Sequence, residues 1–476
     1  MDVLKKLFHE YFHSAAETVQ PLQGQLGGSG RKIIRLANRS HSAVGILHTV
    51  REENLAFVEF SKHFRRHGLP VPGIYAEALD EGAYLEEDLG DTTLFEFLSK
   101  NRTGADIRPE VIDIYRQVVA VLPRFQVEAG RDLNYKLCYP RARFDRQSIA
   151  WDLNYFKYYF LRLAGIPFNE QALENDFARL TKFLLTANHD YFLYRDFQSR
   201  NIMLKDGRPF FIDYQGGRKG ALQYDIASLL YDAKADLPPE SRQHLLDRYL
   251  EVLSTFIDLD REAFMYTYYS YVYVRIIQAM GAYGFRGFYE RKPHFLQSVP
   301  YALKNIRWLL HHAELPIALP TLMDAFENML GSEKLQSLSP DTANLVLRIF
   351  SFSFHGGPAP IDDSGNGGGF VFDCRSIPNP GREERFKDLT GNDAAVIEYL
   401  VQQESSHQFF ANVVALVETS VDAYRKRGFK NLMVSFGCTG GRHRSVYFAE
   451  KLAKHFLGKA GLDVVVRHLA LESFGQ

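Results

Sequence analysis

Two stretches, Y-R-D-F-Q-S-R-N-I-M-L (194–204) and F-F-I-D-Y-Q-G (210–216), decide the fold of the larger part of this chain. Between them lies K-D-G-R-P, in which Asp206-Gly207 is a strong hairpin signal because both residues tolerate a positive φ. Asn201 stands five residues before this turn and Asp213 six residues after it. Antiparallel pairing of the two strands therefore predicts that these side chains lie together at the open end of the hairpin.

The oxygen atoms of Asn201 and Asp213 suit a magnesium-bound nucleotide, because hard cations take a few oxygen ligands and leave room for phosphates. We therefore predict that both residues are metal ligands. Asp196 lies five residues before Asn201, on the loop that enters the first strand. We predict that it orients an attacking hydroxyl or accepts its proton. The order D-x-x-x-x-N, with a further Asp after a hairpin, is that of kinase catalytic and metal loops, although Asp and Asn also occur as ordinary turn and cap residues.

The composition excludes several classes of protein. The 476 residues are 46% hydrophobic and 24% charged, which is too apolar for a disordered chain. The 56 basic and 57 acidic residues nearly cancel, which excludes a polybasic arm or an acidic tail but not a local basic patch. Three distant cysteines without a C-x-x-C pair (Cys138, Cys374 and Cys438) argue against a disulfide scaffold and against a structural zinc site.

The chain lacks an apolar run long enough for a transmembrane helix, so we expect no membrane partner. No signal-peptide pattern is found near the start, where Leu4, Leu7, Phe8, Tyr11 and Phe12 recur at helical spacing. These features predict a cytoplasmic, multidomain protein.

The secondary structure that the sequence pattern predicts changes along the chain. Residues 1–95 read as strands, turns and a helix, and residues 96–331 are mainly helical. Residues 332–345 are Ser-rich and contain a proline, which predicts a linker. Residues 346–476 alternate strands with helices, which is typical of an α/β domain.

The first part resembles the aminoglycoside-phosphotransferase branch of the protein-kinase-like fold. The motifs at 194–216 resemble its catalytic and metal loops. Y-D-I-A-S-L-L-Y-D (224–232) is similar to the helix after the metal loop, with Asp225 in a structural role. The resemblance implies an α+β bilobal protein-kinase-like fold followed by a smaller α/β domain, with residues 1–95 and 96–331 as its two lobes. It also implies ATP and Mg²⁺ as cofactors.

The nucleotide site is implied by two further stretches. Y-L-E-E-D-L-G-D-T-T-L (84–94) resembles the hinge between the lobes, where backbone groups would hold adenine. A Gly-rich stretch near the start of the first lobe is placed where it could cover phosphates, although Gly clusters also mark plain turns. The predicted ATP-binding residues are Gly27, Gly28, Gly30, Glu86 and Asp88.

R-I-I-Q-A-M-G-A-Y-G-F-R-G (275–287), followed by 295–309, is similar to the substrate-side helices of N-acetylmuramate/N-acetylglucosamine 1-kinases of cell-wall recycling. The likeness implies a sugar substrate phosphorylated at its anomeric hydroxyl. An aminoglycoside, choline or another alcohol remains an alternative acceptor.

One departure from the kinase pattern is the absence of lysine from the strand at 43–50. Lys32, Arg35 and His48 are candidate replacements, with Glu53 as the partner. The missing lysine favours an alternative function, a nucleotide- and metabolite-sensing regulatory adaptor with little kinase turnover. The complete set of Asp and Asn residues disfavours it.

In the last part, a buried-type strand at 431–436 runs into G-C-T-G-G-R-H-R-S (437–445), and a helix follows. A strand, a Gly-containing turn and a helix N-terminus predict an anion site, because orphan N–H groups and the helix dipole favour a phosphate. The spacing from Cys438 to Arg444 also matches a cysteine-phosphatase loop, but no other stretch indicates the general acid that such an enzyme needs.

Four ordered motifs resemble the C-terminal domain of the RNase adapter RapZ: F-S-F-H-G-G-P (352–358), F-D-C-R-S-I-P-N-P (372–380), D-L-T-G-N-D (388–393) and G-C-T-G-G-R-H-R-S-V (437–446). That domain binds a hexosamine phosphate and RNA. The implied phosphosugar site comprises Asp373, Arg375, Asn379, Cys438, Thr439, Gly440, Gly441, His443, Arg444 and Ser445. The basic run at 425–430 is a candidate RNA contact, although such runs are often solvated helix ends. The family's N-terminal P-loop domain is replaced here by the kinase-like part, which favours phosphosugar sensing over RNase-adapter function.

Overall fold

The computed structural model describes residues 1–22, 31–103, 106–338, 345–362, 369–427, 429, 431–457, 459 and 462–472. They form two compact units that divide between Gln336 and Ser337, within the segment predicted as a linker. In the described part of the chain, no helix combines the length and the apolar character that crossing a membrane requires.

The first lobe of the first unit is an antiparallel sheet with two helices. Its elements are α1 (Asp2–Phe12), β1 (Thr18–Pro21), β2 (Lys32–Ala37), β3 (Ser42–Leu47), α2 (Arg51–Arg66), β4 (Ile74–Ala78) and β5 (Ala83–Glu87). The strands lie in the order β1-β2-β3-β5-β4. Leu4 and Phe8 of α1 pack against Leu36 and Leu85 on one face of this sheet. Because side chains alternate along a strand, Val44, Ile46 and Glu86 lie on the opposite face.

The second lobe is mainly helical. Its helices are α3 (Leu94–Lys100), α4 (Pro109–Pro123), α5 (Arg146–Phe156), α6 (Arg162–Ala164), α7 (Glu170–Leu184), α8 (Gln223–Leu230), α9 (Pro239–Leu253), α10 (Arg261–Gly284), α11 (Val299–His312), α12 (Pro320–Gly331) and α13 (Glu333–Gln336). Its strands are β6 (Arg102–Thr103), β7 (Asp106–Ile107), β8 (Tyr191–Leu193), β9 (Ile202–Lys205), β10 (Arg208–Phe211) and β11 (Arg218–Gly220). Single π-helical turns occur at Arg124–Glu128, Lys157–Leu161 and Phe285–Tyr289.

The hairpin predicted from Asp206-Gly207 is formed by β9 and β10. Lys205 pairs with Arg208, and Ile202 pairs with Phe211. Asp206 has a φ of 52° and Gly207 a φ of 72°, as the turn requires. This register carries the chain from Phe211 back to the level of Asn201, so the hairpin itself places the residues that follow it.

The second unit is an α/β fold with a parallel sheet. Its strands are β12 (Leu345–Ser353), β13 (Gly369–Asp373), β14 (Asn431–Cys438) and β15 (Leu462–His468), in the order β13-β14-β12-β15. Its helices are α14 (Ala394–Val401), α15 (Glu404–Lys426), α16 (Arg444–Phe456) and α17 (Leu469–Glu472). The carboxyl ends of β13, β14 and β12 lie side by side, and ligands bind at such an edge in open α/β sheets.

Both units have the fold class predicted from the sequence, an α+β two-lobed unit followed by a smaller α/β unit. Strand β15 was not predicted, because D-V-V-V-R-H reads as a short apolar run without a turn signal of its own.

Candidate functional site

The β9–β10 hairpin brings Asn201 and Asp213 into direct contact. The N–H of Ile212 donates to the carbonyl of Asn201 at 3.1 Å, which aligns the two chain segments. Asn201 Nδ2 then donates to Asp213 Oδ2 at 3.0 Å and to the backbone carbonyl of Asp196 at 2.8 Å. The three residues predicted from spacing therefore meet in one place.

A second set of contacts fixes the loop that carries Asp196. The buried Asp225 of α8 accepts hydrogen bonds from the N–H groups of Tyr194 (2.8 Å) and Arg195 (3.0 Å). Arg195 has a φ of 84° and donates to both oxygens of Asp152 at 2.7 and 2.8 Å. The hydroxyl of the buried Tyr194 donates to the carbonyl of Ile212 at 2.5 Å. These contacts tie residues 194–196 to Ile212, directly before Asp213, and Asp225 has the structural position that the resemblance implied.

Negative charge accumulates at the open end of the hairpin. Burial and the neighbouring Asp196 carboxylate raise the pKa of Asp213 to about 6. Gln215 Nε2 donates to Asp213 Oδ1 at 2.6 Å, and Arg31 Nη1 lies 3.5 Å from the same oxygen. Oxygen donors beside two mutually repelling carboxylates fit a divalent cation such as Mg²⁺, which would remove the repulsion.

Arg31 makes the contact with Glu53 that was expected of a replacement for the strand lysine. Its Nη2 lies 2.8 Å from Glu53 Oε1 of α2, and its side chain is only 9% exposed. Of the three candidate replacements, His48 lies 3.5 Å from Glu53, Arg35 pairs instead with Asp88, and Lys32 is exposed. Sequence reasoning missed Arg31, and its only signal was a basic residue directly after the Gly-rich stretch.

The predicted hinge residues fall into two environments. The Asp88 carboxylate accepts from Arg35 at 2.9 Å, from Ser42 at 2.5 Å and from the Gly90 N–H at 3.0 Å. Although burial opposes it, the bond from Arg35 holds the pKa of Asp88 below its usual range. The Asp88 side chain thus ties β2 to the segment after β5, and its backbone carbonyl accepts from Lys205 Nζ at 3.3 Å. Gly27, Gly28 and Gly30 lie outside the described residues.

Glu86 differs from Asp88. Its side chain lies on the same face of β5 as Tyr84. Burial raises the pKa of Glu86 to about 8, although the nearby Arg31 acts in the opposite direction. Among the described residues, Glu86 Oε2 has no hydrogen-bond partner. A buried carboxyl group that tends to be neutral at the hinge can donate as well as accept a hydrogen bond.

In the second unit, the loop between β14 and α16 carries most of the predicted phosphosugar residues. Cys438 is 3% exposed, and its Sγ lies 3.1 Å from Ser445 Oγ. Gly441 has a φ of 68°, and the carbonyl of Thr439 accepts from Ser353 Oγ at 2.8 Å. A sulfur buried in this way is poorly placed to attack phosphorus, so the geometry does not favour a cysteine phosphatase.

The two cationic candidates of this loop are bonded to the protein's own backbone. Arg444, 3% exposed, donates to the carbonyls of Ile377 at 2.8 Å and Arg375 at 3.2 Å and to Thr439 Oγ1 at 3.3 Å. His443 Nε2 lies 2.8 Å from the carbonyl of Phe386. Both side chains therefore hold the neighbouring loops in place.

The remaining candidates lie after β13. Asp373 and Arg375 form a pair with N–O distances of 2.7 to 3.0 Å, and both side chains are about half exposed. Asn379 Oδ1 accepts from the N–H of Gly381, a residue that lies against His443. The described part of the basic run, Arg425 and Arg427, ends α15, whereas residue 430 and the side chain of residue 426 lie outside the described residues.

Comparisons with known proteins match both units. A family model described as "Phosphotransferase enzyme family" matches residues 25–264, about half of the chain. A model described as "RapZ C-terminal domain" matches residues 345–472.

Curated relatives include a nucleotide-binding protein of Nitrosomonas europaea, 35% identical over 36% of this chain and 56% of its own length. Another, from Thioalkalivibrio sulfidiphilus, is 37% identical over 29% of this chain and 46% of its own length. The chain thus spans about half the length of the curated relatives it matches.

Solved structures that are similar include choline kinase LicA from Streptococcus pneumoniae, at 14% identity and a TM-score of 0.44, covering 65% of this chain and 99% of that one. Amicoumacin kinase hAmiN, in complex with AMP-PNP, Ca²⁺ and Ami, matches at 15% identity and a TM-score of 0.42, covering 72% of this chain and 93% of that one. The family models carry the assignment: the chain belongs to the phosphotransferase enzyme family, with a RapZ C-terminal domain as its second unit.

Proposed function

We propose that the first unit is an ATP- and Mg²⁺-dependent kinase that phosphorylates the anomeric hydroxyl of an N-acetylated amino sugar, in the cytoplasm and in cell-wall recycling. The observation that carries the proposal is the contact of Asn201 with both Asp213 and the Asp196 loop. Catalysis in such a site is mostly positioning and charge stabilisation.

Each residue of this set has a defined task. Asn201 and Asp213 would hold Mg²⁺, which when bound neutralises the charge of the transferred phosphoryl group. Asp196 orients the acceptor hydroxyl and takes its proton while the hydroxyl oxygen bonds to the γ-phosphorus and ADP leaves. Arg31, held by Glu53, supplies the cationic group for the phosphates that the strand lysine provides in other kinases.

The charge beside the catalytic loop supports a neutral or anionic acceptor. Ser199 of this loop donates to Asp232 at 2.6 Å. Burial and the nearby Arg200 lower the pKa of Lys234, and burial and Lys234 lower the pKa of His294. Arg200 and Asp232 thus both act on Lys234, whereas the lowered pKa leaves His294 neutral at pH 7. Two basic groups near one carboxylate favour a neutral or anionic acceptor, such as an N-acetylated sugar, over a polycationic aminoglycoside or choline.

The pairing of Arg31 with Glu53 also weakens the adaptor alternative. That alternative depended on the absence of a lysine from β3, and a buried cation now stands against Glu53 and near Asp213. A degenerate kinase site would not need to keep this ion pair together with Asp196.

For the second unit, the proposal is binding of a hexosamine phosphate at the carboxyl edge of its sheet. The N-terminus of α16, a helix of 13 residues, lies there with Thr439 and the half-exposed pair Asp373–Arg375. A helix N-terminus suits the phosphate, and a carboxylate beside it suits sugar hydroxyl or ammonium groups. RNA is the alternative ligand of this unit, through phosphate contacts of the basic end of α15.

The test of the kinase proposal is ATP consumption with Mg²⁺ over N-acetylglucosamine, N-acetylmuramate, glucosamine, choline and kanamycin, with phosphorus NMR to locate the new phosphate. An anomeric phosphate on an N-acetylated sugar, lost in Asp196→Asn but kept in Asp206→Asn, is the expected result. A choline or kanamycin signal would replace the proposed acceptor. No turnover while ATP still binds would support the adaptor function.

The test of the second unit is calorimetry with glucosamine 6-phosphate, glucosamine 1-phosphate and inorganic phosphate. We expect the sugar phosphates to bind more tightly than phosphate and to lose affinity in Thr439→Val. Equal binding of phosphate and sugar phosphates, or binding only of a short RNA, would overturn the assignment.

A further inference from the structure

A cluster of two histidines and a carboxylate lies away from the catalytic loop. His63 lies in the last turn of α2, His67 is the residue that caps the C-terminus of this helix, and Asp132 follows the π-helical turn Arg124–Glu128. His67 Nε2 lies 3.1 Å and His63 Nε2 3.6 Å from Asp132 Oδ1. The three potential ligand atoms all lie within 4.8 Å of one another.

These distances fit a transition metal. A tetrahedral zinc ion with bonds of about 2.0–2.1 Å separates its ligand atoms by about 3.3 Å, and the observed 3.1 and 3.6 Å bracket that value. Imidazole nitrogens with one carboxylate are a typical zinc ligand set, and i, i+4 histidines share one helix face. The carbonyl of Ala129, 2.8 Å from His63 Nε2, is a further oxygen at the same place.

The burial of the cluster also fits a built site. His63 is 6% exposed, whereas the Asp132 side chain is 65% exposed, so an ion could enter from the Asp132 side. His63 Nε2 now faces the Ala129 carbonyl as a donor, and metal binding would require the proton to sit on Nδ1 instead. We propose that His63, His67 and Asp132 form a zinc site that joins α2 to the segment after α4.

The position of this site suggests its consequence for the kinase. Glu53, the partner of Arg31, lies on α2. Gln126 lies in the π-helical turn before Asp132 and donates to Asp225 Oδ2 at 3.1 Å, and Asp225 holds the catalytic loop. An ion between these segments would fix α2 relative to the catalytic loop. This consequence rests on the proposed kinase function, but zinc binding itself does not.

The experiment uses the full chain, stripped of metal by a chelator and titrated with Co²⁺ and then Zn²⁺, without nucleotide or sugar. We expect the visible absorption of tetrahedral Co²⁺ to appear at one equivalent and to be abolished by Zn²⁺. We expect His67→Gln and Asp132→Asn each to weaken Zn²⁺ binding by at least about tenfold. His244→Gln, an exposed histidine on α9, is the matched control and should bind as the wild type does.

A second measurement guards against variants that fail to fold. Zn²⁺ should raise the melting temperature of the wild type and of His244→Gln but not of His67→Gln, whose near-UV circular dichroism should stay native. Absence of Co²⁺ absorption in the wild type would overturn the proposal. So would equal zinc affinity in wild type, His67→Gln and Asp132→Asn. Either result leaves the kinase proposal standing, because no turnover is measured.

Discussion

The β9–β10 hairpin of the first unit and the loop between β14 and α16 in the second differ in what their charged groups already contact. In the hairpin, Asp196 and Asp213 repel each other, and Arg31 approaches Asp213 only to 3.5 Å. In the loop, Arg444 and His443 are bonded to backbone carbonyls of their own unit. The hairpin carboxylates therefore have little compensating positive charge, whereas the side chains of Arg444 and His443 are already hydrogen-bonded to neighbouring loops of their own unit.

This difference shows that the position of a motif in the fold does not tell whether its side chains are free to contact a ligand. Both motifs lie where their spacing predicted, each directly at the end of a strand. In the hairpin, the residues predicted from spacing (Asp196, Asn201 and Asp213) are themselves the proposed ligand contacts. In the loop, a phosphate would depend more on the N-terminus of α16 and on Thr439 than on the guanidinium of Arg444.

The largest expected effect comes from removing one charge of the hairpin. Asp213→Asn should lower phosphoryl transfer by about 10³-fold, because Mg²⁺ loses an anionic ligand at the centre of the transition-state charge. The measurement is turnover as a function of Mg²⁺ concentration. Asp206→Asn, in the turn of the same hairpin, is the matched control, since Asn also tolerates the φ of 52° found there. Equal activity of the two variants would contradict the proposed metal site.

The next effect tests whether Arg444 is part of the framework. Arg444→Gln should lower the free energy of unfolding of the second unit by about 2–4 kcal/mol, because the hydrogen bonds of a buried guanidinium to the carbonyls of Ile377 and Arg375 are lost. This free energy is measured by urea unfolding, followed by near-UV circular dichroism of the aromatic side chains. Exposed Arg382→Gln should leave stability within about 0.5 kcal/mol of the wild type. A stable Arg444→Gln that fails to bind glucosamine 6-phosphate would show that Arg444 is a ligand contact instead.

Local spacing was sufficient to predict that Asn201 and Asp213 lie together. The turn residues Asp206-Gly207 fix the hairpin register, and the register alone brings Asn201 to Asp213. Three of the four motifs of the second unit lie at the carboxyl ends of β12, β13 and β14, and the motif at 388–393 directly precedes α14. In each case, the residues that were predicted to lie together belong to one short segment, so a few consecutive residues set the distances between them.

Pairing between distant residues was not predictable in the same way. Arg31 and Glu53 are 22 positions apart, and their contact depends on how the sheet packs on α2. The use of Arg444 as a donor to residues 375–377 depends on the packing of two loops. Charge and spacing in the sequence do not say which cation has a carbonyl within reach after folding.

A smaller effect tests the replacement of the strand lysine. Arg31→Gln should lower kcat/KM for ATP by about tenfold to thirtyfold, because one charge-assisted contact is lost. Arg31→Lys should recover part of this loss, since it restores the positive charge without the bidentate geometry. The exposed neighbour Lys32→Gln is the control and should remain near wild type. If Lys32→Gln were the more damaging variant, the assignment of Arg31 would be wrong.

The smallest effect concerns two adjacent glutamates of β5 with opposite pKa shifts. Burial raises the pKa of Glu86 to about 8, so its contribution to stability is complete below the ordinary pKa and falls as pH rises toward 8. Although burial opposes it, Lys205 at 2.7 Å lowers the pKa of Glu87, whose contribution to stability is therefore present at neutral pH and lost in acid.

Thermal unfolding between pH 5 and pH 9 should show Glu86→Gln gaining about 1–2 kcal/mol in the free energy of unfolding over the wild type as pH rises. Glu87→Gln should instead be destabilised throughout this range, and its deficit should shrink only when the pH is taken below the ordinary glutamate pKa of about 4.5. The same pH trend in both variants would mean that Glu86 is ionised in the folded protein, with Arg31 near enough to stabilise its charge.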